Sequence, residues 1–420
     1  MAIQMNSKIC RRNTIRLVLA CAVLAIALDA LPLFAQEVWR NKLVMMKFPG
    51  EVVNYRDGQG STGTTKLNYL TFPVLDEQPD QIRIRFDDKE AWVYKSRAVT
   101  MEDAVPFFTQ QIERDRNNAH AYRHRAEAWY QKSELEIALL DCNEAIRILP
   151  TSTEVWNDRG VVHAGLGMQE KALSDYSKAI QLDVNSTVAH NNRGNIYLNK
   201  EEFDDAIRDY DAVIKVNPKY VDAYISRGRA KLAKKNFPES ITDFQKAIVL
   251  LPNYSKGYWY RGYAKMISGD KDEAMSDFTK AIQLNPKDPS AFYHRGSLYE
   301  GAGNIKKAII EYEKALDLDP RYDWASNKIA WILATSPNDE NRNGNRSISV
   351  ATELCKRTAW KNPSFMDTLA AAYAEDGQFE EACKLQRQLL ALVPKDSSDL
   401  EDYSKRLSMY ENNKPFRENE

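Results

Sequence analysis

The chain is poor in net charge and in reactive side chains. Its 420 residues carry 58 Lys and Arg against 59 Asp and Glu, a formal charge of −1. That balance gives no argument for binding nucleic acid or an anionic membrane surface by charge. There are only five cysteines and five histidines. No Cys-x-x-Cys pair, His-Glu-x-x-His run or Ser–His–Asp arrangement can be drawn from them, so no zinc site, catalytic nucleophile or cofactor is expected. The glycines of Asp57-Gly-Gln-Gly-Ser-Thr-Gly63 lack a following Gly-Lys-Ser/Thr. They are a hairpin tip rather than a phosphate loop. Long apolar runs are also missing. Leu17 to Leu28 is cut short by Asp29 and Pro32, below the roughly 20 residues a spanning helix requires. With Lys8, Arg11, Arg12 and Arg16 before it and Ala35 after it, this stretch has the order of a secretory signal peptide. Export to the periplasm or cell envelope is expected, with no stable membrane insertion after cleavage.

The chain is rich in a 34-residue repeat. Pro218, Pro252, Pro286 and Pro320 are spaced by 34, and Pro150 lies two steps upstream. Ala138, Ala172, Ala206, Ala274 and Ala308 keep the same step, with Ser240 in the remaining slot. Four residues later come Cys142, Tyr176, Tyr210, Phe244, Phe278 and Tyr312. Ala145, Ala179, Ala247, Ala281 and Ala315 follow three residues on, with Val213 between. Spacings of four and three place these side chains on one helical face. A second helix precedes this one in each copy, from an aromatic such as Tyr122, Trp156 or Tyr224 through a Gly four residues later, with Ala126 replacing that Gly in the first copy. The proline stops each pair. One pair cannot bury its apolar face alone, so copies must stack.

This pattern resembles the tetratricopeptide repeat family, whose 34-residue frame carries an aromatic, a Leu-Gly-like pair, a Tyr, then Ala, Phe and Pro. The resemblance implies a mainly α fold, a right-handed solenoid of helix pairs that binds protein or peptide partners on its concave face. Ahead of it, five short β-prone runs within 40–99 suggest a small β-barrel: 43–47, 51–55, 67–72, 81–86 and 91–94. Lys89 to Val99 resembles the closing strand and helical turn of bacterial Src-homology-3-like domains. The organisation expected is a signal peptide at 1–35, the barrel at 40–99, a half-repeat helix at 100–118 and six repeats at 119–322. Two further repeat-like units at 323–396 follow, with an insertion loop at 337–347, then a helix at 397–412 capped by Ser398 and Glu401, and a disordered tail at 413–420.

One charged pair recurs in every copy. Arg125, Arg159, Arg193, Arg227, Arg261 and Arg295 each precede by sixteen residues Asp141, Asp175, Asp209, Asp243, Asp277 and Glu311. Repetition in all six copies points to an interhelical clamp rather than a ligand-binding ladder. His120, His124, His163, His190 and His294 are expected to be packing or surface residues. Cys142 fills an aromatic slot and reads as packing; Cys355 and Cys383 lie on second helices of adjacent units, where a disulfide is one option and free thiols the other.

In the family the resemblance names, ligands meet first-helix positions 2, 5, 9 and 12. Positions 5 and 9 hold amides in early copies (Asn157, Asn191, Asn195) and aromatics with one more amide in later ones (Trp259, Tyr263, Tyr293, Asn327, Trp331). These residues are the candidate partner-binding site, with mutual packing of the aromatics as the competing reading. The Lys and Asn clamp for acidic tails is not met. The expected function is a non-catalytic protein–protein scaffold of the bacterial cell envelope. The alternative is a cell-wall-binding accessory protein, with wall contact through the barrel and enzyme recruitment through the repeats.

Overall fold

The computed structural model describes residues 42–47, 52–57, 60–66, 71–86 and 89–418. The signal peptide at 1–35 lies outside the described residues, as does part of the 67–72 run. The chain divides into two compact units, Met1–Ala189 and His190–Glu420. Eighteen α-helices occur among the described residues.

The first unit opens with seven strands rather than five: β1 (Leu43–Met46), β2 (Val52–Asp57), β3 (Thr62–Lys66), β4 (Thr71–Glu77), β5 (Gln81–Phe86), β6 (Lys89–Tyr94) and β7 (Ala98–Thr100). All pairs are antiparallel, in the order β3-β2-β6-β5-β4-β1-β7. The expected barrel is corrected to an open sheet. Closure needs the end strands to pair, but among the described residues β7 pairs only with β1 and β3 only with β2. The physical reason lies at β7, which is three residues long and runs directly into the helix Met101–Arg114. The alternation read in Gln81–Phe86 holds: Ile82, Ile84 and Phe86 are buried, and Arg83 and Arg85 face outward.

Strand β1 is buried on both faces. Val44 and Met46 join the sheet core, whereas Met45 points to the other side and packs with Val99, Ala104, Phe108 and Ala121. The sheet is therefore docked on the half-repeat helix. Thr100 caps that helix, accepting from Asp103 N at 3.4 Å. Two repeats follow: Ala119–Gln131 with Leu135–Ile148, and Thr153–Gly165 with Gln169–Leu182.

The second unit continues the pairs: Thr187–Asn199 with Phe203–Val216, Val221–Ala233 with Phe237–Leu250, Ser255–Ser268 with Lys271–Leu284, and Pro289–Gly301 with Ile305–Leu318. Within a pair the helices approach closely because a small residue faces a ring. A methyl group added at Gly160 would lie 2.5 Å from the Tyr176 ring, one at Gly228 2.6 Å from Phe244, and one at Gly296 2.8 Å from Tyr312. In the first copy, Ala126 and Cys142 occupy the matching slots and share one core cluster. The smaller thiol leaves room for the extra methyl.

The chain ends with Asp323–Thr335, Gly344–Arg357, Pro363–Glu375, Phe379–Leu392 and Leu400–Glu411. The insertion contains a short 3-10 turn, Asp339–Asn341, and is held by Arg342, which donates to Glu375 at 2.9 Å and to the Ser336 carbonyl at 2.8 Å. Two expectations are corrected here. The last helix has no capping box: Asp399 sits at its N-cap without a side-chain cap bond, and the Ser398 hydroxyl bonds Asp399 instead. The tail is ordered through Glu418. Asn413 takes a positive φ of 55°, which turns the chain back, and Glu418 N donates to the Thr335 carbonyl at 2.9 Å.

Candidate partner-binding surface

The arginine ladder is engaged inside the fold. Arg125 Nε and Nη2 each donate at 2.8 Å to Asp141. Arg159 does the same to Asp175 at 3.0 and 2.7 Å, and Arg295 to Glu311 at 3.0 and 2.8 Å. Arg193, Arg227 and Arg261 repeat the fork on Asp209, Asp243 and Asp277. The third nitrogen reaches back to the preceding second helix: Arg125 Nη1 to Thr109, Arg159 to Asn143, Arg227 to Asp211 and Arg295 to Thr279. Each of these four guanidiniums ties three helices together. Two histidines add to the clamp, with His163 Nδ1 2.7 Å from Asp175 and His190 Nδ1 2.7 Å from Asp209. Burial pushes the Asp209 carboxyl up, but the hydrogen bonds from Arg193 and His190 outweigh it and hold the pKa below the ordinary aspartate value.

The later aromatics form a continuous cluster. Trp259 stacks on Tyr263 at 5.5 Å and 5°. Both rings lie against His294, at 5.4 and 5.0 Å, and Tyr293 meets the same imidazole edge-on at 5.0 Å. Tyr293 also contacts Tyr312 and Tyr322. The three aromatics are half-buried rather than free. Burial, reinforced by Tyr322 and Glu300, pushes the Tyr293 hydroxyl up to about 12. Burial also lowers His294 to about 4, leaving a neutral ring at the centre. The buried Trp259 Nε1 has no acceptor among the described residues. Mutual packing and half-exposure coexist here.

The other candidates are scattered. Asn157 is buried in the first unit, 3.4 Å from Asp158. Asn191 is half-buried, and Asn195 accepts from Tyr210 Oη at 2.7 Å. Asn327 and Trp331 share a cleft of about 290 Å³ with Asp367, Tyr403 and Arg406. Arg406 is the hub of that cleft. Its Nε donates to the buried Asp367 at 2.9 Å, and its guanidinium lies over Trp331, Tyr403 and Phe416 at 5.5, 5.3 and 5.3 Å. Sequence reasoning missed His294, Arg406 and Phe416, because none of them occupies a ligand position of the repeat frame.

The described residues contain no group of three or more His, Cys, Asp or Glu able to hold a metal ion. No helix among them is long and apolar enough to cross a membrane. Cys142, Cys355 and Cys383 are free and buried. Burial pushes the Cys355 thiol up to about 12, so it is not a thiolate nucleophile at neutral pH.

Models of the tetratricopeptide repeat match residues 153–185, 187–220 and 289–322, and a TPR repeat model matches 262–303. No curated protein matches the sequence. Among solved structures, the chain is similar to YrrB, a TPR protein with an unusual peptide-binding site, at 24% identity and a TM-score of 0.38, over 44% of this chain and 95% of that one. It is similar to MamA at 25% identity and a TM-score of 0.37, over 39% and 95%. A tetratricopeptide repeat protein from Parabacteroides merdae gives 20% identity and a TM-score of 0.44, over 54% and 89%.

Proposed function

We propose, for a chain built of tetratricopeptide repeats, that it is a non-catalytic scaffold of the bacterial cell envelope whose later repeats hold a protein or peptide partner. Protein–protein interaction follows from the repeat itself. The envelope setting rests on the charged and apolar order of residues 1–35 in the sequence. The partner surface rests on one observation: Trp259, Tyr263 and Tyr293 stay half-exposed as a joined cluster while the arginines beside them are engaged in internal clamps. A rigid aromatic cluster suits an anchor residue from an extended peptide or a partner helix.

The test places a photo-crosslinking amino acid at Tyr263 and, as a control, at Asn157 in the native host. The expected result is one dominant crosslinked protein from position 263 that disappears on Trp259→Ala in a chain with an unchanged melt. Equal crosslinking from both positions overturns the surface assignment. Intact mass of the same material tests export: the chain is expected to begin at Gln36, and a species retaining residues 1–35 overturns it.

A further inference from the structure

Residues 414–418 leave the last helix, reverse direction and run back over the end of the repeat array. Asn413, in the left-handed region that Asn tolerates better than most residues, makes the turn. Lys414 N donates to the Met409 carbonyl at 2.9 Å, and Pro415 follows. Phe416 sits on Trp331 at 5.8 Å, with Arg406 over both rings. Arg417 forms an ion pair with Glu375 at 2.5 Å, and both side chains are largely buried. Glu418 N and Arg417 Nη1 bond the last carbonyls of the helix Asp323–Thr335, those of Thr335 and Ala334. Glu418 lines a cleft of about 910 Å³ together with Glu300, Lys328 and Asn338.

These contacts have the form of peptide recognition. An extended segment supplies an aromatic anchor, a buried arginine and main-chain hydrogen bonds. The anchor covers Trp331, a first-helix position 9 residue. We propose that residues 414–418 are an internal ligand. They occupy the surface that a partner's extended segment, carrying an aromatic residue followed by arginine, takes by displacing them. The inference rests on the reading of these repeats as peptide-binding.

A tethered ligand competes at an effective concentration of order mM, so an outside peptide of equal contacts binds poorly until the tail is released. The segment is short and contains no helix, so its release exposes one ring and one ion pair without breaking a helix.

The experiment uses the full chain and a fluorescein-labelled synthetic peptide of residues 412–420, read by anisotropy. Phe416→Ala with Arg417→Ala is expected to free the surface and bind this peptide at least ~10-fold more tightly than wild type does. Adding Glu375→Gln to that variant is expected to weaken binding, and a peptide with alanine at 416 and 417 is expected not to bind. If the double variant loses its cooperative melt, Arg417→Gln alone replaces it under the same criterion. Equal peptide binding by wild type and variant, or none by either, overturns the proposal and makes the tail a fixed structural cap. Because partner capture is not the readout, that result leaves the scaffold reading to its own crosslinking test.

Discussion

At the residue scale, a glycine and a ring determine each other. Gly228 exists because Phe244 fills the space a methyl group would need, and Ala126 is accommodated because Cys142 is smaller. Cys142→Phe is therefore expected to destabilise the first unit by about 1–3 kcal/mol through overpacking. Adding Ala126→Gly is expected to recover most of the loss, as a double-mutant cycle of thermal melts shows. A second residue-scale effect is pH dependence. His294 is depressed to about 4 by burial. A base held neutral in the fold contributes stability that is full above its unfolded pKa near 6.5 and is lost as pH falls toward 4. The melt of wild type is expected to fall between pH 7 and pH 4.5, and less so for His294→Phe. His124, lowered to about 3 by burial, keeps the remaining slope in place.

At the element scale, the clamp decides how one helix pair meets the one before it. Arg125 is the clearest test, because Asp141 sits in a repeat with Trp129 where the second has His163. Arg125→Ala leaves a buried carboxylate and is expected to cost about 3–5 kcal/mol. Arg193→Ala is expected to cost less, since His190 still bonds Asp209. Arg125→Met with Asp141→Leu is expected to recover much of the loss. Denaturant melts of these variants check the order. Equal costs for the two single variants would show that the histidine contributes nothing. The clamp was legible in the sequence as a sixteen-residue spacing. Its third contact, to Thr109 or Asn143 on the preceding second helix, was not, because hydroxyl, amide and carboxylate acceptors share that slot without a common residue type.

At the scale of the whole molecule, the repeat array is finished differently in each unit. In the first, β1 and β7 replace a first helix and bury Met45 and Val99 against Phe108. In the second, the helix Leu400–Glu411 buries Tyr403 and Tyr410, and the tail folds back beyond it. Phe108→Ala is expected to remove the contact on which the sheet docks and to destabilise the first unit by about 3–5 kcal/mol, read as an earlier transition in calorimetry.

The sequence by itself determined the repeat: its 34-residue step, the helix boundaries set by proline and glycine, the faces that pack and the pairing of each arginine with its acid. Those are local and periodic, so each copy repeats the evidence for the others. What only the tertiary structure decided is not periodic. Whether five β-prone runs close depends on the partner of the last strand, and β7 runs into a helix before it can pair with β3. Whether Trp331 is open depends on Phe416, 85 residues away in the chain. Whether Trp259 and Tyr293 stand alone depends on His294, which joins two neighbouring first helices. Such contacts form between residues with no fixed spacing, through burial and ring packing that become available only once the helices have stacked.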